Sequence, residues 1–222
     1  MPDTDQADSR DPCPLCGREK AEWFWRDARR DYYRCRQCRL VFVLPAQRLS
    51  RAAEKAEYDL HRNDPGDSGY RRFLARLFDP LQARLAPGSR GLDFGSGPGP
   101  TLSLMFAEAG HQVALYDCFY AAVPVVLSGR YDFITATEVV EHLHRPGDEL
   151  ARLWSLLGAG APLGLMTKLV RDRDAFSRWH YKNDLTHVSF FSRPTFEWLA
   201  EQWGADLQFI GQDVIILTRT GS

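Results

Sequence analysis

No stretch of the 222 residues stays apolar for the roughly 18 positions that a membrane-spanning helix needs. Neither sign of charge prevails, since 28 Lys and Arg stand against 29 Asp and Glu, a net −1. The first scarcity leaves no span and no membrane partner. The second leaves no global field to hold a nucleic acid or an anionic lipid surface. Met1 to Asp11 are polar and acidic, without the basic-then-apolar order of a signal peptide, so a cytoplasmic protein is expected. Cysteine is scarce and odd in number: five, of which four form two C-x-x-C pairs. That disfavours a disulfide framework and favours metal binding in a reducing compartment. Against these absences stand 44% hydrophobic and 26% charged residues, enough for a real core.

Residues 1–11 read as a disordered tail, rich in Asp, Ser and Gln. Residues 12–48 read as a small metal module. Cys13 and Cys16, then eighteen residues, then Cys35 and Cys38 is the spacing of a closed tetrahedral thiolate site for structural Zn2+, a zinc ribbon. Gly17 suits the sharp turn under the metal, and zinc would fold a module too small for a core of its own. Nine Lys and Arg face four Asp and Glu there, among Trp23, Trp25, Tyr32 and Tyr33. Four thiolates with one zinc ion lower that surplus of five to about three. Basic and aromatic residues interleaved in this way can grip single-stranded RNA, so RNA binding stands as an alternative to a purely structural role.

Residues 49–88 read as a helical linker or lid. A first helix carries Ala52, Ala53, Ala56 and Leu60 and closes at Asn63-Asp64-Pro65-Gly66. A second runs from Tyr70 to Leu85 and ends at Pro87-Gly88, with Pro80 expected to kink it. From residue 89 to 222 strand and helix patterns alternate. Strands fall near 90–94, 112–117, 131–136, 162–168, 206–211 and 213–219, and helices near 100–109, 147–157 and 194–203. This is an α/β pattern: a doubly wound, Rossmann-like parallel sheet covered on both faces, closed by an antiparallel last strand.

The strand at 90–94 runs into Asp93-Phe94-Gly95-Ser96-Gly97-Pro98-Gly99, an acid followed by three alternate glycines and then a helix. Glycine tolerates positive φ and has no side chain to block a nucleotide-like ligand. The order Asp-x-Gly-x-Gly-x-Gly resembles the first motif of the class I S-adenosylmethionine-dependent methyltransferases. The resemblance implies that Asp93, Gly95, Gly97 and Gly99 hold S-adenosylmethionine, that Asp93 orders the loop or faces the sulfonium, and that Asp117 receives the ribose hydroxyls. Only 13 residues separate Asp117 from Tyr131, too few for a further helix and strand. The adenine side is therefore expected to be built differently, by Phe119 and Tyr120 stacking on the base.

After the strand at 131–136 comes Thr137-Glu138-Val139-Val140-Glu141-His142. On a helix, Glu138, Glu141 and His142 would project from one face, half a shell for a divalent cation such as Mg2+. His187, with His180 nearby, follows in a later segment. Glu-x-x-Glu-His with a later His resembles two methyltransferase groups, one acting on small-RNA 3′ ends and one on catechols in ubiquinone biosynthesis. In those, the four matching side chains, here Glu138, Glu141, His142 and His187, hold a metal that binds the acceptor hydroxyl. His187 or His180 could then take the acceptor's proton, which gives a catalytic set of Glu138, His142, His187 and His180, with Glu138 also facing the cofactor. The plain alternative is that Glu141 and His142 begin a polar helix. His111 and His144 read as surface residues, Cys118 as a bystander, and Lys168 as either catalytic or closing a salt bridge.

These readings converge on a methyltransferase that uses S-adenosylmethionine to methylate oxygen on a small molecule, with a divalent metal assisting. Thr137-Glu138-Val139-Val140 stands where an Asn/Asp-Pro-Pro-Phe/Tyr motif of N-methylation would be. The alternatives are an RNA methyltransferase using the ribbon and a non-catalytic S-adenosylmethionine-binding scaffold. Acceptor identity and oligomeric state are not encoded in these patterns.

Overall fold

In the computed structural model, residues 8–9, 11–60 and 64–220 are described. The main sheet takes its strands from β4 (Arg90–Phe94), β5 (Gln112–Tyr116), β6 (Phe133–Thr137), β7 (Pro162–Met166), β9 (Ala205–Ile210) and β10 (Val214–Arg219). Their order is β5-β4-β6-β7-β10-β9, and β10 runs antiparallel to both β7 and β9. All five residues of β7 are buried, as are four of five in both β4 and β6. That explains their continuous apolar runs, because a strand covered on both faces does not alternate. On one face, α2 (Ser68–Gln82) and α3 (Thr101–Glu108) bring Leu74, Leu77, Leu81, Leu102 and Phe106 onto Phe133 and Ile216. On the other, α4 (Pro146–Leu156) and α6 (Arg193–Trp203), separated in the chain by the short α5 (Arg173–Ser177), bring Leu150, Leu153, Phe196 and Leu199 onto Ile134, Leu163 and Ile215. The six strands expected from residue 89 onward, and the helices expected near 100–109, 147–157 and 194–203, are present within about two residues. Among the described residues no helix is long and apolar enough to cross a membrane.

The second sheet is built from β1 (Glu22–Arg26), β2 (Asp31–Arg34) and β3 (Val41–Phe42), and its fourth strand is β8 (Ser189–Phe190). Residues 12–48, read as a small metal module, share this sheet with a later segment, Val41 pairing with Phe190 and Phe42 with Ser189. Two apolar strand residues leave the small hairpin an unpaired edge, and the later segment covers it. Of the expected tail, residues 1–7 and 10 lie outside the described residues, whereas Ser9 is buried and its N–H donates to the Ala21 carbonyl at 2.8 Å.

In the linker, α1 (Arg51–Tyr58) is capped by the Ser50 hydroxyl and buries Glu54, while Ala52 and Ala56 are exposed and Leu60 lies beyond its end. Asn63 in the expected closing cluster lies outside the described residues. The next helix, α2, ends at Gln82 rather than at Pro87-Gly88. Pro80 sits in its last turn, where the lost N–H forfeits only one bond near a terminus.

Candidate active site

The glycine turn folds as its residue types require. Gly95 and Gly97 have φ of +75° and +62°, which costs a residue with a Cβ on the order of 1–2 kcal/mol. A Cβ on Gly95 would also stand 2.4 Å from Val139 Cγ2. Gly99 is not left-handed; its carbonyl accepts the Thr101 N–H at 2.7 Å where α3 begins. Asp93 lies buried beneath the turn and accepts a hydrogen bond from Thr135 Oγ1 at 2.8 Å. Burial pushes its carboxyl up to about 6, against the pull of hydroxyls from Thr135 and Ser103.

Asp117, one residue past β5, ties that strand end to the turn. Its Oδ2 accepts the Gly97 N–H at 3.0 Å, and its Oδ1 accepts those of Phe119 and Tyr120 at 2.8 and 3.0 Å. The short segment that follows makes a bridge from Asp117 to Ala121 and then a 3₁₀ turn over 124–128. Helix α1 docks on it. The Arg51 guanidinium lies 4.5 Å from the centre of the Phe119 ring and donates to the Cys118 carbonyl, and Tyr120 donates to Asp59 at 2.6 Å. Where an extra helix and strand were missing from the sequence, α1 packs against the short segment. Cys118 is exposed, and desolvation raises its thiol pKa.

The segment expected as a helix from Glu138 is not an α-helix. Glu138 donates its N–H to the Met166 carbonyl at 2.8 Å, extending the β6–β7 ladder, and then adopts φ +53°. Only a 3₁₀ turn, Val140–His142, follows, and α4 starts at Pro146, a residue that needs no N–H partner in a first turn. Glu141, His142 and His187 nevertheless converge, with ligand atoms within 4.8 Å of one another. The reversed backbone at Glu138 takes it out of this group. Its carboxylate lies 3.4 Å from the Tyr181 hydroxyl, with its pKa raised by burial and lowered in part by Lys168.

Glu141 is fully buried. One carboxyl oxygen accepts the Tyr181 O–H, and the other, Oε2, has no hydrogen-bond partner among the described residues. Burial, then the nearby Glu138, holds its pKa above the carboxylate range. His187 Nδ1 lies 2.7 Å from the Tyr181 carbonyl, so it carries the proton, leaving the Nε2 lone pair toward the cluster. Burial lowers the pKa of this imidazole, against the pull of Asp184. The His142 ring packs against His187 at 4.6 Å and against Tyr58 of α1 at 5.2 Å.

Other expected residues fall elsewhere. His180 is exposed, its Nε2 3.2 Å from Lys168 Nζ and outside the cluster. Lys168 lies over the Tyr181 ring and makes no ion pair within 4.0 Å among the described residues, so it closes no salt bridge. His111 is buried between Phe106 and Phe133 and bonded to Gln82, not at the surface. His144 is half-exposed and meets buried Glu54 at 2.5 Å. Tyr58 and Tyr181 went unmarked in the sequence because nothing in local periodicity separates a site tyrosine from a core one.

The four cysteines of the N-terminal part also converge, with Cys13 to Cys38 and Cys16 to Cys35 at 3.5 Å. After each pair the chain reverses at a left-handed residue, Gly17 with φ +72° and Arg39 with φ +63°. Part of the basic surplus is engaged within the protein, while Arg18, Lys20 and Arg29 stay exposed. Arg26 pairs with Asp31, Arg34 with Glu22 and Arg36 with Asp8, while Arg30 is buried.

A family model described as a methyltransferase domain matches residues 67–208, well over half of the chain. No curated protein matches it significantly. Among solved structures, a Burkholderia thailandensis 1,6-didemethyltoxoflavin-N1-methyltransferase, bound to 1,6-didemethyltoxoflavin and S-adenosylhomocysteine, is 17% identical with a TM-score of 0.51. That match covers 90% of this chain and all of the other. The magnesium protoporphyrin IX methyltransferase of Synechocystis PCC 6803, solved with S-adenosylmethionine, is 15% identical with a TM-score of 0.52, over 77% of this chain and 92% of the other. At such identities the likeness is one of fold. With the glycine turn, the acid after β5 and the reversed last strand in place, the chain belongs to the methyltransferase domain family.

Proposed function

We propose that the protein transfers the methyl group of S-adenosylmethionine to a hydroxyl oxygen of a small molecule, at a site where Glu141, His142 and His187 hold a divalent cation. The cofactor would lie over Gly95–Gly99, its ribose hydroxyls at Asp117 and its base beside Phe119, in the crevice beyond the carboxyl ends of β4 and β5. The observation that carries the reading is the buried Glu141 Oε2, unpartnered beside two imidazoles. An unpaired carboxyl oxygen in such surroundings costs roughly 1–3 kcal/mol or more, and a hard cation offsets that cost. Such a cation would orient the acceptor oxygen and lower its pKa.

The chain's own groups complete the arrangement. Tyr181 fixes both partners, donating its hydroxyl to Glu141 and accepting His187 Nδ1–H at its carbonyl. Methyl transfer from a sulfonium is an in-line displacement: the acceptor oxygen bonds to carbon as the carbon–sulfur bond breaks. A cation-free reading has one observation of its own. Asp184 Oδ2 stands 3.7 Å from His187 Nε2, near enough to favour an imidazolium formed as His187 takes the acceptor's proton. An RNA substrate would have to use the ribbon's exposed Arg18, Lys20 and Arg29, since Arg26, Arg34 and Arg36 pair with acids and Arg30 is buried. We assign structural Zn2+ to the four cysteines, whose four sulfurs converge as a closed thiolate site requires.

Mn2+ titration of the wild type and of Glu141→Gln and His187→Ala, with S-adenosylhomocysteine binding measured in parallel, tests the site. Cation affinity should fall at least about tenfold while cofactor affinity stays within about twofold. Full methyl transfer to a hydroxyl acceptor in the presence of chelator would instead establish His187 as a cation-free base. Cofactor binding with no transfer to any of a panel of hydroxyl acceptors would leave the scaffold reading.

A further inference from the structure

The β1–β2 hairpin of the cysteine module ends in Arg30, whose side chain is buried at the junction with residues 182–187. Its guanidinium donates to four carbonyls of that single segment: Leu185 at 2.9 Å, His187 at 3.0 Å, Lys182 at 2.9 Å and Asp184 at 3.2 Å. A further pair of contacts reaches the Tyr32 hydroxyl at 3.3 and 3.4 Å. Asp27 braces the hairpin from behind, accepting the Arg29 and Arg30 N–H groups and the Tyr32 hydroxyl. A planar fork with five fixed donors is the side chain best suited to hold several carbonyls at set angles. Burying such a charge is costly, and here it is repaid by the carbonyl dipoles of a loop that has wrapped around it.

That loop carries His187. Its carbonyls turn toward Arg30, and the His187 side chain lies with Glu141 and His142. The strand that follows is the one that enters the module's sheet, with the Val43 N–H donating to the Val188 carbonyl at 3.0 Å and β3 pairing with β8. The segment is thus gripped by the cysteine module at its turn and at its exit.

We infer that Arg30 is a positioning residue for His187, and that the cysteine module serves as the scaffold of the acceptor site rather than as a substrate-gripping arm. The inference rests on the assignment of His187 to that site. It separates two halves of the reaction: the glycine turn that receives the cofactor lies outside the reach of Arg30, and the acceptor half depends on it.

Arg30→Met retains bulk and removes the donors. In the full chain with zinc bound, amides of residues 182–188 should exchange at least about tenfold faster. Mn2+ affinity should fall by a similar factor, and S-adenosylhomocysteine affinity should change less than about twofold. Arg30→Lys, which keeps the charge but not the fork, should fall between wild type and Arg30→Met in both losses, and it carries the test if Arg30→Met does not fold. Exchange at 182–188 that matches wild type in these variants would overturn the inference, as would cofactor and cation affinities that fall together. Exchange is read without any cation, so a wild type that binds no Mn2+ would remove the cation reading while the clamp is still tested.

Discussion

Asp93 shows what burial does to one carboxyl. It lies under the glycine turn with only hydroxyls for company, and its pKa rises from 3.8 to about 6. A carboxyl whose pKa is higher in the folded chain binds its proton more tightly there. Its stabilising contribution is complete below the unfolded value and disappears as pH rises through about 6. At about 1.4 kcal/mol per unit, the shift corresponds to roughly 3 kcal/mol. Asp93→Asn should therefore remove that much of the decline in unfolding free energy between pH 4 and pH 7, as read by urea denaturation of both proteins across the range. Parallel curves would show that folding leaves the pKa of Asp93 where it stands in the unfolded chain. Glu138 and Glu141 carry raised pKa values too, so the difference between the two curves is the quantity of interest rather than either slope.

Among elements, the start of α4 shows how tightly the two parts of the chain are fitted. Gly147, in the first turn, donates its N–H to the Pro14 carbonyl at 3.1 Å, and a Cβ there would come within 2.3 Å of the Leu15 carbonyl oxygen. Alanine is the better helix former by roughly 0.8–1 kcal/mol, so an unconstrained Gly147→Ala would stabilise the protein. Against this contact it should destabilise by about 1–3 kcal/mol. A melting temperature that rises in Gly147→Ala would mean that α4 and the Cys13–Cys16 loop do not meet. The turn at Glu138 is a second lesson at this scale. The string Glu-x-x-Glu-His fits a helix by spacing, yet a hydrogen bond that prolongs the sheet ladder and one left-handed residue replace it with a 3₁₀ turn. The cluster forms anyway, because His187 arrives from a different segment.

For the molecule as a whole, the cysteine module and the methyltransferase domain share one core. Cys13, Leu15, Cys35, Leu40 and Phe42 belong to the same buried cluster as Leu150, Leu153 and Phe191. On the other side of the small sheet, Tyr32, Val41 and Phe24 pack with Phe176, Val188 and Phe190. Such sharing makes unfolding cooperative across the boundary. Removing the zinc proposed for the four cysteines with a strong chelator should accordingly lower one common transition, seen alike in far-ultraviolet circular dichroism and in tryptophan fluorescence. Two separate transitions, with the later one unmoved by chelator, would show that the module is an independent appendage.

Much of this protein was readable along the chain because the relevant signals are local. Helix and strand periods from residue 89 onward depend on which faces are covered. The glycine turn depends on backbone conformations open to few other residues, and the two Cys pairs lie within reach of one ion by their spacing. What stayed hidden depends on contacts between distant segments. Tyr58, Tyr181 and Arg30 look in the sequence like ordinary core or surface residues, and β8 is too short to announce itself. Helical spacing and resemblance placed Glu138 in the cluster, and His180 stood beside it as an alternative proton acceptor. Backbone hydrogen bonding to Met166 turns the one away, and an exposed 3₁₀ turn carries the other off. The sequence therefore specified the sheet, the cofactor turn and the paired cysteines. Which carboxylate and imidazoles meet, and that the cysteine module holds their loop, follows from tertiary packing, since burial and long-range hydrogen bonds have no periodicity of their own.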